Sequence, residues 1–483
     1  MYDILLIAIP IGRTDTRPLP AIFHLKSYLE LHGKTVKCIE CHNLTDGGNP
    51  ELFDRMYEAI EPEKDNAPWI GISLLTDYQV SLGLEVVRRL NLDPNRIIWG
   101  GPGTSLINEK LQRKEIDAVD NFKHVIYGEG EIALLEFLNG NLEYPGINSD
   151  PVQIDDLNSL PPPDYGDINV PMIALTGSRG CVRKCKFCNV PSIWKKYRYV
   201  DGTILAENAI SVIQKNPYTS HIAFSDSLIN GSEREFRKMC TRLKEHNLSE
   251  DVKSGKLSPV TWEAQYIARR VTVDHYQLVV DSGCTMLKIG IESGSERLRN
   301  EMAKKFNDEA MYNTLFGFLK TDPHIKLVLM IVVGYPQETE EDFEKTLDFM
   351  DRLSYYNTRI KMSPTLMSII PGTPVATEHP ELIENIESHN FKDYTFVNEN
   401  GDIRSRVKRL IKMETMIKYH KYCYDISIAT RKDYFLFDVL KELDVDYMDI
   451  YKEAIDDLIS SGRLPDDIED IYENELPWPE FLW

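Results

Sequence analysis

At 483 residues the chain is longer than one ordinary hydrophobic core organises, so two or three domains are expected. Its 42% apolar and 27% charged residues fit a globular protein, and no run of roughly eighteen apolar residues occurs, which excludes a membrane-spanning helix of ordinary length. Lys and Arg number 55 against 76 Asp and Glu, and the net charge of −21 disfavours indiscriminate binding to nucleic-acid phosphates, leaving only a local basic patch for a specific RNA.

The first residues, Met1-Tyr2-Asp3-Ile4-Leu5-Leu6-Ile7, lack a basic leader and a small-residue cleavage site; they read as a strand, and a cytoplasmic address is expected. From residue 1 to about 140, short apolar runs alternate with amphipathic stretches. Strands are predicted at Ile4–Ile9, Thr35–Cys41, Trp69–Leu74 and Arg96–Trp99, and helices at Ala21–His32, ending at Gly33, and Tyr78–Leu90. This order predicts a parallel, doubly wound sheet with ligand loops at the carboxyl ends of its strands. Those loops hold Pro10-Ile11-Gly12, Ser73-Leu74-Leu75-Thr76, Gly100-Gly101-Pro102-Gly103 and Gly128-Glu129-Gly130-Glu131. Glycines there let the backbone approach a large flat ligand, and the candidate contacts are Gly12, Ser73, Thr76, Gly100, Gly101, Pro102, Gly128, Glu129 and Gly130.

Cys38-Ile39-Glu40-Cys41-His42 matches the short pattern for covalent haem attachment, but it falls inside an alternating strand, and ordinary strand cysteines are expected. The eight cysteines, Cys38, Cys41, Cys181, Cys185, Cys188, Cys240, Cys284 and Cys423, do not form a disulfide framework of a small secreted fold, and a reducing compartment fits them. Residues 141–170 read as a linker, with Pro161-Pro162-Pro163 inside Leu157–Asp164.

The strand Met172–Leu175 then leads into Ser178-Arg179-Gly180-Cys181-Val182-Arg183-Lys184-Cys185-Lys186-Phe187-Cys188. Spacings of three and then two residues let one tight loop wrap three thiolates around a cube of iron and sulfide, leaving one iron without a protein ligand. A closed zinc site wants a fourth ligand, and residues 176–200 hold no further cysteine and no histidine. Lys195-Lys196-Tyr197-Arg198 is the best local basic run, with a solvated turn as the blander reading. Further strands are predicted at His221–Phe224, Pro259–Glu263, Met286–Ile291, Lys326–Val333 and Met362–Ile370, with helices such as Asp201–Gln214 and Glu340–Arg352 between them. Together, residues 171–400 predict an incomplete parallel barrel with its site at the strands' carboxyl ends. Residues 401–483 read as helices, including Arg404–Tyr422 and Tyr447–Ser460, that cover the open barrel side or shape a substrate pocket. The closing Pro477-Trp478-Pro479-Glu480-Phe481-Leu482-Trp483 is expected to dock against the body of the protein.

The cysteine loop, with Phe187 just before Cys188, resembles that of radical S-adenosylmethionine (SAM) enzymes. The resemblance implies that Cys181, Cys185 and Cys188 each bind iron of a [4Fe-4S] cluster and that the open iron is chelated by the amine and carboxylate of SAM. It also implies that an electron splits SAM to a 5′-deoxyadenosyl radical and that Phe187 lies beside the adenine. Several barrel residues are similar to those with which the family holds SAM. Asp226 and Ser227 would sit near the methionyl amine. Glu292, with Ser293, in Gly290-Ile291-Glu292-Ser293-Gly294-Ser295-Glu296, would accept from the ribose hydroxyls. Gly334-Tyr335-Pro336 and Pro371-Gly372-Thr373-Pro374 resemble turns that touch adenine or substrate. Gln265 and Arg269 either face the methionine carboxylate or lie in solvent.

The four loops ahead of the cysteines, above all Tyr127-Gly128-Glu129-Gly130-Glu131, are similar to the cobalamin-binding domain of one branch of that family. The implied fold is an α/β chain: a Rossmann-like doubly wound sheet over 1–140, a partial (β/α)6 TIM-like barrel over 171–400 and a helical C-terminal region. Ile9–Pro20 lacks the histidine that many cobalamin domains place on cobalt, and His24 beyond it is expected to pack or cap, so the implied cobalamin carries no protein histidine. The implied activity is methyl transfer to an unactivated carbon or phosphorus centre of a small molecule, fed by an electron donor such as a flavodoxin or ferredoxin. The alternatives are rearrangement, cyclisation or sulfur insertion without methyl transfer, or a non-catalytic corrinoid-binding protein; methylthiolation lacks a second cysteine triad. No catalytic residue is assigned, and the substrate is not legible.

Overall fold

A computed structural model describes residues 1–9, 19–40, 52–75, 77–107, 119–141, 153–166, 170–370, 372–384, 400–423 and 446–465. Two parallel sheets organise it. The first contains β1 (Ile4–Ala8), β2 (Val36–Glu40), β3 (Trp69–Ser73), β4 (Ile97–Gly100) and β5 (His124–Val125), in the spatial order β2-β1-β3-β4-β5. All five residues of β1 are buried, as a central parallel strand covered on both faces requires. Helix Pro20–Leu31 starts on a proline, whose fixed φ suits a first turn. One face of the sheet packs Leu5, Ile7, Ile72 and Trp99 with Val80, Val86 and Phe122. The other face is continuous with the core of the second sheet: Ile4, Leu6 and Phe23 share one cluster with Ile173, Leu175 and Leu205. Tyr165 joins them, its ring 4.5 Å from Phe23 and its hydroxyl donating to the Ala174 carbonyl.

The second sheet is built from β6 (Met172–Leu175), then, after the short β7 (Ser178–Arg179) and β8 (Arg198–Tyr199), from β9 (His221–Phe224), β10 (Thr261–Tyr266), β11 (Cys284–Glu292), β12 (Lys326–Val333) and β13 (Ile360–Leu366). Its order, β13-β12-β11-β10-β9-β6, leaves β6 and β13 as outer strands of an open, partial barrel. Helices Gly202–Lys215, Glu233–Asn247, Val273–Asp281, Asp308–Thr321 and Glu340–Leu353 make the crossovers. Their starts are set locally: Asp201 accepts from the Thr203 amide, Asn307 from Ala310, and Thr339 with Asp342 forms a capping box.

The predicted bounds of β6, β9 and β12 coincide with the observed ones. β10 begins two residues later than predicted because its pairing starts at Thr261 opposite His221; β13 begins two residues earlier, with Ile360 opposite Leu327. Helix Ile403–Tyr419 packs on β12, β13 and the Tyr447–Ser460 helix, and covers that side of the barrel. Among the described residues no helix is long and apolar enough to cross a membrane. The expected docking of Pro477–Trp483 falls outside the described residues.

Candidate functional site

The cysteine loop is clasped at both ends. β7, just before it, pairs antiparallel with β8, just after it, with Ser178 opposite Tyr199 and Arg179 opposite Arg198. Asp226, at the carboxyl end of β9, fixes the approach: its carboxylate accepts from the Gly177 amide at 3.0 Å and from Ser178 Oγ at 2.5 Å. Burial pushes this carboxyl up to about 6 despite those donors. Two further backbone bonds hold the loop tip, Lys186 N to the Met302 carbonyl at 3.1 Å and Val375 N to the Lys186 carbonyl at 3.0 Å.

Cys185 is buried, Cys181 and Cys188 are half-buried, and none is in a disulfide. Burial pushes the Cys185 thiol up to about 11, with Cys188 and Cys181 adding to it, so iron binding here must displace protons. Among the described residues no three His, Cys, Asp or Glu side chains converge as ligands of one metal ion would. A cube takes each sulfur on a different corner. Three undisulfided thiols within electrostatic reach of one another, on one clasped loop, therefore fit a cluster better than a closed zinc site.

Around the loop stand the barrel strand ends. A bulge between Gly290 and Glu292 breaks the β11–β12 register, and Glu292 takes a left-handed φ of 67°. Its carboxylate lies 2.5 Å from the ammonium of Lys304, which stands 6.0 Å from the centre of the Phe187 ring. Lys304 was missed in the sequence, because Ala303-Lys304-Lys305 looks like a solvated charge run. Ser293 is buried and committed elsewhere, its Oγ accepting from Ser295 N and lying 3.1 Å from Thr346 Oγ1. The Gly334 amide donates to Glu338 at 2.7 Å; burial pushes Glu338 up to about 7 against the pull of Arg409. Arg269 is a quarter exposed and donates to the Gly231 carbonyl at 3.2 Å.

Between the carboxyl ends of the two sheets lies a cavity of about 490 Å³. From the first sheet come Ser73, Gly100, Gly101, Pro102, Gly128, Glu129 and Gly130; from the second come Thr176, Ser178, Gly180, Trp194, Ser227, Gln265 and Lys288. This is the switch point of the first sheet, where β1 lies between β2 and β3 and ligands of open α/β sheets bind. Gly101 is required there: its φ is 91°, and a Cβ would fall 2.3 Å from the Leu74 carbonyl oxygen. The wall does not include Phe187, Asp226, Glu292, Ser293, Gly334 or the three cysteines. Gly12 and Thr76, with Cys41, His42 and Pro371, fall outside the described residues. Cys38 lies on β2 with its thiol directed at the Ile22 carbonyl, 3.6 Å away, as an ordinary strand cysteine.

The Glu129 carboxylate is engaged rather than open. It binds Arg198 Nη2 at 2.5 Å and Nη1 at 2.8 Å, accepts from Ile154 N at 2.5 Å and lies 3.4 Å from Arg179. Arg179 also pairs with Glu131. Burial alone would raise Glu131, but Arg179 holds it below the usual carboxylate range. Half of the basic run therefore turns inward, leaving Lys195 and Lys196 outside.

His24 lines the cavity wall, and neither of its ring nitrogens is hydrogen-bonded, so it caps nothing. Burial, helped by Arg179, depresses its pKa to about 4. The unfolded histidine protonates near pH 6.5, so stability is lost as pH falls from about 6.5 to about 4, by roughly 3 kcal/mol in full. Urea unfolding of His24→Leu beside the parent at pH 7 and pH 5 checks this: the parent should lose more stability, and equal losses would refute it.

Comparison with known proteins adds the family. Residues 175–350 match the model of the radical SAM superfamily. A tRNA-2-methylthio-N(6)-dimethylallyladenosine synthase of Corynebacterium glutamicum is 25% identical over 233 residues, 46% of this chain and 42% of that protein. The protein of the same name in Deinococcus radiodurans is 26% identical over 254 residues, 48% and 45% of the two chains. The chain thus spans less than half the length of these relatives.

Among solved structures, the radical S-adenosylmethionine methyltransferase TsrM of Kitasatospora setae, with cobalamin and a [4Fe-4S] cluster bound, superposes with a TM-score of 0.63. The match covers 80% of this chain and 79% of that one at 14% identity. The cobalamin-dependent radical SAM enzyme OxsB, with aqua-cobalamin bound, also gives 0.63, over 96% and 80% at 14% identity. At that identity the likeness is one of fold, and it extends through both sheets.

Proposed function

We propose that the protein is a cobalamin-dependent radical SAM methyltransferase acting on an unactivated carbon or phosphorus centre of a small molecule. The observation that carries this reading is the cavity shared by the glycine-lined strand ends of the first sheet and the strand ends beside the cysteine loop. The loops at Ser73, Gly100–Pro102 and Gly128–Gly130 would hold cobalamin in this cavity, with Gly12 and Thr76; beside it Cys181, Cys185 and Cys188 would hold a [4Fe-4S] cluster, and Phe187, Asp226, Glu292, Ser293 and Gly334, with Ser227 and Gln265 of the cavity wall, would surround SAM. When bound, these groups supply the electron, the radical and the transferable methyl group.

The chain's own residues supply placement. Asp226 fixes the strand that enters the cysteine loop, Glu292 presents a carboxylate suited to two ribose hydroxyls, and the Gly101 turn brings backbone rather than side chain to the cavity wall. Methyl transfer is favoured over methylthiolation because, among the described residues, Cys240 and Cys284 are buried in the barrel core, Cys38 lies on β2 and Cys423 is directed at the Thr358 carbonyl, so these do not form a second triad.

The test needs no substrate. The anaerobically reconstituted protein, reduced with dithionite and given SAM deuterated in its methyl group, should release 5′-deoxyadenosine and carry the label in its bound corrinoid. Release without label in the corrinoid would point to radical chemistry without methyl transfer; no release would leave a non-catalytic corrinoid-binding protein.

A further inference from the structure

We infer that Lys304 is a positioning residue for the cluster site: its ammonium compensates the negative charge of a cluster on Cys181, Cys185 and Cys188 and aims the Glu292 carboxylate at the nucleotide. The inference rests on the reading that these cysteines hold a SAM-binding [4Fe-4S] cluster.

The backbone around Lys304 is built at a cost. Ala303 and Lys305, on either side of it, take φ values of 58° and 55°, and Glu292, its partner, takes 67°. Residues with side chains avoid this region, and such conformations collect where function over-determines the fold. The β11 bulge at Gly290 turns Glu292 out of register toward Lys304. Gly290 itself makes room for the pair, since a Cβ there would lie 2.3 Å from Glu292 Oε1 and 2.6 Å from Lys304 Nζ.

The ammonium side chain is only 13% exposed, yet it is held charged. Burial opposes that charge, but the Glu292 carboxylate outweighs it. The loop and the segment that carries the lysine are tied together, because Lys186 N binds the carbonyl of Met302, two residues before Lys304, and Arg183 Nη1 reaches the Lys305 carbonyl at 3.4 Å. A salt bridge meant only for stability gains little from burial, and an apolar pair of equal volume would serve as well. Beside a cluster the same charge has a use, since net charge nearby helps set the reduction potential.

Lys304→Met, Lys304→Arg and Glu292→Gln, reconstituted anaerobically beside the parent, test the inference by iron content and by potentiometric titration followed by electron paramagnetic resonance. Lys304→Met should keep its iron, shift the cluster midpoint to more negative potential and raise the KM for SAM roughly tenfold, as loss of a supporting residue does. Lys304→Arg should restore the midpoint. Glu292→Gln, which removes a negative charge and leaves the ammonium in place, should shift the midpoint in the positive direction while also raising the KM. Opposite shifts from the two partners are what a merely structural salt bridge does not produce. If Lys304→Met does not fold, the midpoints of the other two variants decide. Iron-loaded variants with the parent's midpoint and SAM dependence would overturn the role of Lys304 alone; absence of iron from the parent would overturn the cluster reading beneath it.

Discussion

Cys185→Ala should give a folded protein that retains no more iron than background and releases no 5′-deoxyadenosine from SAM. The thiol sits at the buried centre of a loop whose two ends are tied by the β7–β8 pair and whose tip is tied at Lys186. Those ties are backbone bonds and do not depend on sulfur, so the change should alter stability by only about 1 kcal/mol, the scale of one small buried group. Cys240→Ala is the matching control. Cys240 is fully buried in the barrel core, its thiol pushed up to about 12 by that burial. It should lose about 1–2 kcal/mol by leaving a small cavity and keep all of its iron. Iron analysis and visible absorbance of the two proteins side by side check this, and equal iron loss in both would remove the cysteine loop from its assigned place.

What could be read before the structure was local chemistry, and what could not was pairing at a distance. β6, β9 and β12 are short apolar runs bounded by turns, and the parallel order of their sheet follows from strands alternating with capped helices. The cysteine loop is contiguous, so its spacing carries its geometry. β5 escaped notice because a strand of two residues, His124–Val125, has no period to detect. The latch of Glu129 and Glu131 with Arg179 and Arg198 escaped because its partners stand 48 and 69 residues apart. Lys304 was hidden for another reason. Nothing in an isolated Lys says whether it faces water, although buried Met302 and Phe306 on either side of Lys304 give a retrospective signal. The same limit applies to Arg198, which shares a basic run with exposed Lys195 and Lys196 yet points inward.

Glu129→Ala should cost about 3–5 kcal/mol of unfolding free energy, because it removes the carboxylate partner of the buried Arg198. Glu129 is 4% exposed and Arg198 8%, and each guanidinium nitrogen of Arg198 that faces Glu129 donates to a separate carboxylate oxygen. The same carboxylate takes the Ile154 amide of the linker and stands 3.4 Å from Arg179 of β7. Truncation leaves the Ile154 amide of the linker without its acceptor and Arg198 without its carboxylate, while Arg179 keeps Glu131, and a buried donor without a partner carries its full desolvation cost. The surface pair Arg270–Glu309 has the same closest approach, 2.5 Å, but both side chains are more than half exposed. Water and salt screen it, so Glu309→Ala should cost no more than about 1 kcal/mol. Denaturant unfolding of the two variants therefore separates burial from distance as the source of stability. Because Glu129 joins the loop after β5, the linker and the strands flanking the cysteines, its loss should also loosen the cavity wall between the sheets and weaken the cobalamin binding proposed above, measured as corrinoid retained after gel filtration. Comparable small losses in both variants, with corrinoid retention unchanged, would show that the two sheets are held together by their shared apolar core alone.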